Sequence, residues 1–81
     1  MFNLDRACIE YGVKNLVFRG EDFSNGILHI SHHVNGVASL TTVEKPARYI
    51  EMVDYQEINR RVNMGELRAY LLDGDGFTRL H

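Results

Sequence analysis

The 81-residue sequence contains one cysteine, one proline and no tryptophan. Because Cys8 has no second cysteine to pair with, the chain does not have the pattern of a disulfide-stapled secreted scaffold. No apolar run approaches the roughly 20 residues that cross a bilayer. Asp5, Arg6 and Glu10 interrupt the N-terminus where a signal peptide needs an apolar stretch. We therefore expect a soluble, cytoplasmic protein with no membrane partner.

Neither sign of charge is in large excess. Nine basic and eleven acidic residues give a net charge of −2, whereas strong nucleic-acid binders usually carry a basic excess that neutralises phosphates. The apolar fraction of 44% and the charged fraction of 25% are ordinary for a globular protein. Disorder would require fewer apolar residues and a larger charge imbalance. The length suits one compact domain, residues 1–81.

The first predicted element is a helix. Four residues follow the i, i+3, i+4, i+7 spacing of one apolar stripe: Leu4, Ala7, Cys8 and Tyr11. Asn3 can cap its start and Gly12 can end it. The position of Cys8 on the apolar stripe indicates a buried core thiol rather than a reactive nucleophile.

An Asn-Gly pair predicts a tight β-hairpin. Residues 27–34 and 37–43 are β-rich runs on either side of Asn35-Gly36, and both turn residues tolerate the positive φ of a two-residue loop. With uninterrupted pairing, Ile30 faces Thr41 and Leu28 faces Val43. This register predicts an apolar face made of Leu28, Ile30, His32, Val34, Val37 and Val43. It assigns to the opposite face His29, Ser31, His33, Ala38, Leu40 and Thr42.

Three histidines within five positions raise the question of a metal site. In the predicted register His29 and His33 share a face, and His32 lies on the other. Four residues along a strand separate His29 from His33 by about 13 Å, too far for two imidazoles that each bind zinc at about 2.0–2.1 Å. We therefore expect no metal site within one chain. Whether His29, His33 and the terminal His81 meet across two chains is left open by the sequence.

A second helix is predicted from about residue 55 to 64. Asp54 and Glu57 stand at the N-cap and N3 positions of a capping-box arrangement, Val53 and Ile58 are spaced for a hydrophobic staple, and Gly65 supplies a stop. Strands are predicted at "KNLVFRG", "ARYIEMV", "LRAYLL" and "FTRLH". The order indicates an α+β fold, a mainly antiparallel sheet of about five to six short strands with two helices packed on one face.

No motif of a reaction centre is present in the sequence. It lacks a nucleophile elbow, a phosphate loop and paired cysteines. The run Asp73-Gly74-Asp75-Gly76 has two acidic positions of a calcium loop, but Phe77 and Thr78 occupy the following ligand and glycine positions, so a hairpin turn is expected. We expect no enzymatic activity, no catalytic residue and no cofactor.

The arginines are candidates for a basic face. Arg60 and Arg61 lie on the second predicted helix, and further arginines stand before and after it, at Arg19, Arg48, Arg68 and Arg79. Three tyrosines offer stacking surfaces beside them: Tyr49, Tyr55 and Tyr70. A plainer interpretation is a solvated helix face that is balanced by Glu51, Glu57 and Glu66. Nucleic-acid binding through this surface is the second functional hypothesis.

The leading hypothesis is a small non-enzymatic protein-interaction module: a regulator, adaptor or inhibitor of a larger macromolecule. Its compactness fits a phage- or mobile-element-encoded modulator of a host protein. Tyrosine and arginine are enriched in binding hot spots, so the predicted partner-binding residues are Tyr49, Tyr55, Arg60, Arg61 and Tyr70. We also expect a homodimer, because pairing across a two-fold axis would cover an exposed sheet edge. A metal- or ligand-responsive domain is a third hypothesis.

Overall fold

The computed structural model describes residues 1–20 and 26–81. Helix α1 spans Leu4–Tyr11 and a short 3-10 turn spans Val13–Asn15. Helix α2 spans Tyr55–Asn63. The strands are β1 Leu16–Gly20, β2 Ile27–Val34, β3 Val37–Thr42, β4 Ile50–Asp54, β5 Leu67–Asp73 and β6 Gly76–Arg79. They form one antiparallel sheet in the order β4-β3-β2-β1-β5-β6. The predicted α+β class is confirmed.

Both helices begin at the side-chain caps that the sequence predicts. The Asn3 side chain accepts a hydrogen bond from the backbone N–H of Arg6 at 3.1 Å. The Asp54 carboxylate accepts one from the N–H of Glu57 at 2.7 Å. These bonds satisfy N–H groups that have no partner within the first helical turn.

The β2–β3 hairpin differs from the predicted register. Val34 pairs with Val37 at the Asn35-Gly36 turn, but the register shifts between Ile30 and His32. Ile30 therefore lies opposite Leu40 instead of Thr41, and Leu28 lies opposite Thr42 instead of Val43. The shift is a β-bulge, in which two residues of one strand oppose a single residue of the other.

The bulge also corrects the predicted faces of the hairpin. Ala38 and Leu40, which were assigned to the face opposite Leu28 and Ile30, are fully buried with them. His32 lies opposite Ser39, away from this core, while His33 lies opposite Ala38 on the core side. The prediction was wrong because it extended strict alternation through Ser31, where the bulge places one additional residue.

The sheet has two faces, and the helices cover only one of them, although Val17 and Thr41 on the other face are also buried. The core lies between the helices and the face that carries Leu16, Phe18, Leu28, Leu40 and Ala69. We call the opposite side the open face. One row of neighbouring residues crosses it from β4 to β6, and its members are Ile50, Thr41, His29, Val17, Tyr70 and Arg79. Neither α1 nor α2 packs on the open face, since the core residues of both helices contact the other side. Over residues 1–20 and 26–81, no helix has the length and apolar content to cross a membrane.

Candidate functional site

An open groove lies on the helix side of the sheet, between α2 and strand β4. It has a volume of about 670 Å³. Its floor is apolar, and its rim is charged and aromatic. Residues on both are Gly20, Leu28, Leu40, Tyr49, Glu51, Glu57, Arg60, Arg61, Glu66 and Leu67. We call this feature the α2 groove. It brings together three of the predicted partner-binding residues, Tyr49, Arg60 and Arg61.

The two arginines of the α2 groove are held by three carboxylates. Arg61 forms a two-point pair with Glu51 on β4, with N–O distances of 2.8 and 3.1 Å. Its Nε also donates to Glu57 at 2.8 Å. Arg60 donates to both oxygens of Glu57 and both oxygens of Glu66, at 2.8 to 3.1 Å. Two guanidinium groups and three carboxylates therefore form one continuous network with a formal charge of −1.

Tyr49 extends this network at the edge of the sheet. Its hydroxyl donates a hydrogen bond to the Glu51 carboxylate, which Arg61 also binds. Glu51 thus connects an aromatic ring on one wall to a guanidinium on the other. Fixed arginine and tyrosine side chains lose little conformational freedom when a partner binds.

The network shifts the acid-base behaviour of its carboxyl groups. Hydrogen bonds from Arg60 and then Arg61 lower the pKa of Glu57 from its ordinary 4.5 to about 2. The hydrogen bond from Arg61 lowers the pKa of Glu51, and the bond from Arg60 lowers the pKa of Glu66. All three groups are therefore ionised at neutral pH, and both arginines remain paired.

We expect the network to stabilise the fold above the ordinary carboxyl pKa and to lose this effect in acid. A carboxyl whose pKa is lowered in the folded state favours folding above about 4.5, and the contribution disappears as the pH falls toward about 2. The doubly substituted Arg60→Gln/Arg61→Gln chain should melt below the native chain at pH 7. The difference in melting temperature between the two chains should disappear near pH 2. Melting curves recorded across pH test this, and a difference that persists in acid contradicts it.

The same comparison at high ionic strength separates charge pairing from packing. Arg60 and Glu66 are about half exposed and the other three groups are partly exposed, so salt should narrow the difference in melting temperature at pH 7. A difference that salt does not change would indicate that the arginine stems contribute by packing.

Tyr55 and Tyr70 lie outside the α2 groove. Tyr55 begins α2 and packs against the core. It lies near Cys8, and burial raises the pKa of both the Tyr55 hydroxyl and the Cys8 thiol. The His33 ring lies beside that of Tyr55, with centroids 6.5 Å apart. A raised thiol pKa disfavours the reactive thiolate. Cys8 packs against the core but is only partly buried, whereas the sequence predicted a buried core thiol.

Tyr70 lies on the open face. Its ring contacts Phe77 of β6 edge to face, with centroids 6.4 Å apart. The five predicted partner-binding residues thus occupy three places on the molecule. Tyr49, Arg60 and Arg61 share one surface; Tyr55 and Tyr70 do not join it.

The histidines are separated by the bulge. His29 and His32 lie on the open face, and His33 lies beside Tyr55 on the other side of the sheet. The predicted pairing of His29 and His33 on one face is therefore wrong. Within residues 1–20 and 26–81, no three His, Cys, Asp or Glu side chains are placed to hold a metal ion together.

Several residues of the α2 groove were not identified from the sequence as site residues. Leu28, Leu40 and Leu67 form its floor. The local sequence pattern predicts only that each of them is a core residue of a strand. The glutamates were considered only as balancing charges. The spacing of Glu57 and Arg61, one helical turn apart, was the available signal for their pairing; the pairing with Glu51 depends on the tertiary fold.

No protein-family model, curated protein or solved structure matches the chain.

Proposed function

We propose that the chain is a small, non-enzymatic protein-interaction module of the cytoplasm, which binds a larger protein through the α2 groove. It would act there as a regulator, adaptor or inhibitor, a role suited to a phage- or mobile-element-encoded modulator of a host protein. The observation that carries the proposal is the combination of an apolar floor with a rim of tyrosine and paired arginines. These residue types concentrate binding energy at protein interfaces.

The shape of the α2 groove favours a protein partner. The groove is open to solvent along its length, so it suits a protruding loop or helix better than an enclosed small molecule. The partner would lie across the Tyr49 ring and the arginine stems above the buried leucines of the floor, and its polar groups would meet the network at the rim. The charges of the rim are already compensated, which favours a partner of mixed charge.

The charge network argues against phosphate binding at the same place. A phosphate would have to displace Glu57 and Glu66 from Arg60, and Glu51 from Arg61. Nucleic-acid binding remains the second candidate because Arg19, Arg68 and Arg79 lie on the open face with Tyr70. Such binding should weaken steeply with added salt.

Capture experiments with matched variants test the proposal. The tagged chain is incubated with lysate of the organism that encodes it, with and without nuclease, and retained proteins are identified by mass spectrometry. The native chain should retain one stoichiometric protein, and Tyr49→Ala and Arg61→Ala should lose it. Arg6→Ala, which removes a guanidinium from the exposed side of α1, serves as the control and should retain it.

The affinity for the captured protein then provides the quantitative test. Substitution of a hot-spot tyrosine should weaken binding by at least about tenfold, equivalent to about 1.4 kcal/mol. A partner retained equally by all variants would show that the α2 groove is not its binding site. A partner lost whenever nuclease is present would favour the second candidate.

A further inference from the structure

Strand β4 lies at one edge of the sheet. Over residues 1–20 and 26–81, β3 is the only strand that pairs with it. We call the other side of β4 the free edge. In an antiparallel pair, every second residue of a strand directs its N–H and C=O toward the neighbouring strand, and the residues between direct theirs away from it.

Two hydrogen bonds show which residues of β4 face the free edge. The N–H of Thr42 donates to the C=O of Tyr49 at 3.2 Å, and the N–H of Tyr55 donates to the C=O of Gly36 at 2.8 Å. The odd-numbered residues between these bonds therefore bind β3 as well. The N–H and C=O groups of Ile50 and Met52 point to the free edge, where they form a template for one further strand.

The side chains of β4 do not protect this edge from pairing. Ile50 is 68% exposed and Met52 is 60% exposed. Edges that stay unpaired usually carry lysine or proline or are very short, and the five residues of β4 include neither residue type. Its two acidic residues are engaged, Glu51 with Arg61 and Asp54 as the cap of α2. The opposite edge, β6, has four residues, which begin with glycine and end with arginine.

Glu51 connects the free edge to the α2 groove. It lies between Ile50 and Met52 along the strand, and its side chain points to the helix side, where it binds Arg61 and stays partly exposed. The network around it contains three carboxylates and two guanidinium groups, so one negative charge has no counter-charge within it. On an added strand, the residue opposite Glu51 would have its Cβ about 4.5–5.5 Å away. A lysine or arginine at that position would supply the missing positive charge.

We propose that the partner reaches the α2 groove through an extended segment that pairs antiparallel with the free edge of β4. The segment has an apolar residue opposite Ile50, a basic residue opposite Glu51 and an apolar residue opposite Met52. Backbone hydrogen bonds provide affinity in this mode of binding, and the alternating side chains provide specificity. The inference rests on the proposed function and narrows the partner's contact from a loop or helix to a strand.

A second copy of the chain is a poorer occupant of this edge. If Ile50 of one copy lies opposite Met52 of the other, the two Glu51 carboxylates lie opposite each other, and like charges in that position destabilise a pair of strands. Registers farther along β4 place the carboxylate of Asp54 opposite Ile50 or Met52. A partner segment with the sequence apolar, basic, apolar has neither disadvantage.

A synthetic peptide tests the strand directly. The probe is acetyl-Thr-Val-Lys-Val-Thr-amide, titrated into the isotope-labelled chain and followed by NMR. At about ten times its dissociation constant, the peptide should slow the exchange of the Ile50 and Met52 amide protons about tenfold. The N–H of Phe77 points away from β5 at the opposite edge and should not change. The matched peptide with glutamate in place of lysine should bind about fivefold more weakly.

Proline substitution tests the backbone hydrogen bonds in the chain itself. Met52→Pro removes an N–H at the free edge and keeps the bonds of β4 to β3. It should abolish peptide binding and the retention of the captured protein. Phe77→Pro removes the equivalent N–H of β6 and should have neither effect. Met52→Lys keeps the backbone intact but introduces the residue that protects natural edges, and it should also prevent binding. Circular dichroism checks that each variant is folded.

The outcomes separate this inference from the proposed function. A captured protein that Tyr49→Ala loses, but that Met52→Pro and Met52→Lys retain, would overturn the strand and leave the α2 groove as the binding site. Peptide binding at β4 without any captured protein would support the strand and count against the proposed function. Unchanged exchange at Ile50 and Met52, or equal slowing at Phe77, would overturn the inference. A dimer of the native chain that Met52→Pro dissociates would identify a second copy as the occupant. Equal affinity for the two peptides would overturn the basic position.

Discussion

Phe18→Ala should remove a large share of the stability of this fold. Phe18 is fully buried at the centre of β1, between Leu28 and Ala69 on the neighbouring strands. Its ring contacts Phe2 edge to face, with centroids 6.3 Å apart. Truncation of a buried phenylalanine costs about 3–5 kcal/mol, a large share of the 5–15 kcal/mol by which proteins are stable. Denaturant titration followed by circular dichroism measures the loss.

Phe77→Ala provides the matched control for this prediction. Phe77 lies on β6 with its side chain more than half exposed, so its removal leaves no internal cavity. We expect a change of about 1 kcal/mol or less in the free energy of unfolding. Equal losses for the two variants would contradict the placement of Phe18 in the core and of Phe77 on the surface.

Asn59→Leu should destabilise the fold by leaving a backbone group without its partner. The side-chain oxygen of Asn59 on α2 accepts a hydrogen bond from the N–H of Leu4 at 2.7 Å. Leu4 is fully buried, so water cannot readily replace the lost acceptor. An unsatisfied buried donor costs about 1–3 kcal/mol, and the loss should appear in the midpoint of urea unfolding.

The conservative variant Asn59→Asp distinguishes the hydrogen bond from packing. A carboxylate keeps the acceptor and nearly the same shape, so Asn59→Asp should retain most of the stability that Asn59→Leu loses. Asn63, which binds the backbone of Phe2 through both its oxygen and its nitrogen, continues the same connection between α2 and the N-terminal segment. If the leucine and aspartate variants were equally unstable, the acceptor would not be the cause.

Short sequence patterns were sufficient to predict the helices and strands and their order along the chain. Helix α2 was located by Asp54, Glu57 and Gly65, and the structure shows the cap at Asp54. The Asn35-Gly36 turn was located in the same way. Each of these signals depends on backbone geometry over a few residues, which is why it can be read without the rest of the fold.

The sequence predicted less of the candidate site than of the fold. Arg61 and Glu51 are ten residues apart on different elements, and only the packing of α2 against the sheet brings them together. The three tyrosines looked equivalent as exposed aromatic residues. Their separation onto the groove, the core and the open face follows from strand register and helix phase, which a local pattern does not specify.

The bulge at Ser31 makes β2 one residue longer than regular pairing with β3 requires. On either side of it, Ile30 and His33 lie on the core side of the sheet. Loss of Ser31 would leave an unbroken ladder in which Ile30 still opposes Leu40 and His32 still opposes Ser39. Loss of a paired residue such as His29 would instead exchange core and surface along the strand. Ser31 is thus a place where evolution can change the length of this hairpin by one residue without changing the identity of its two faces.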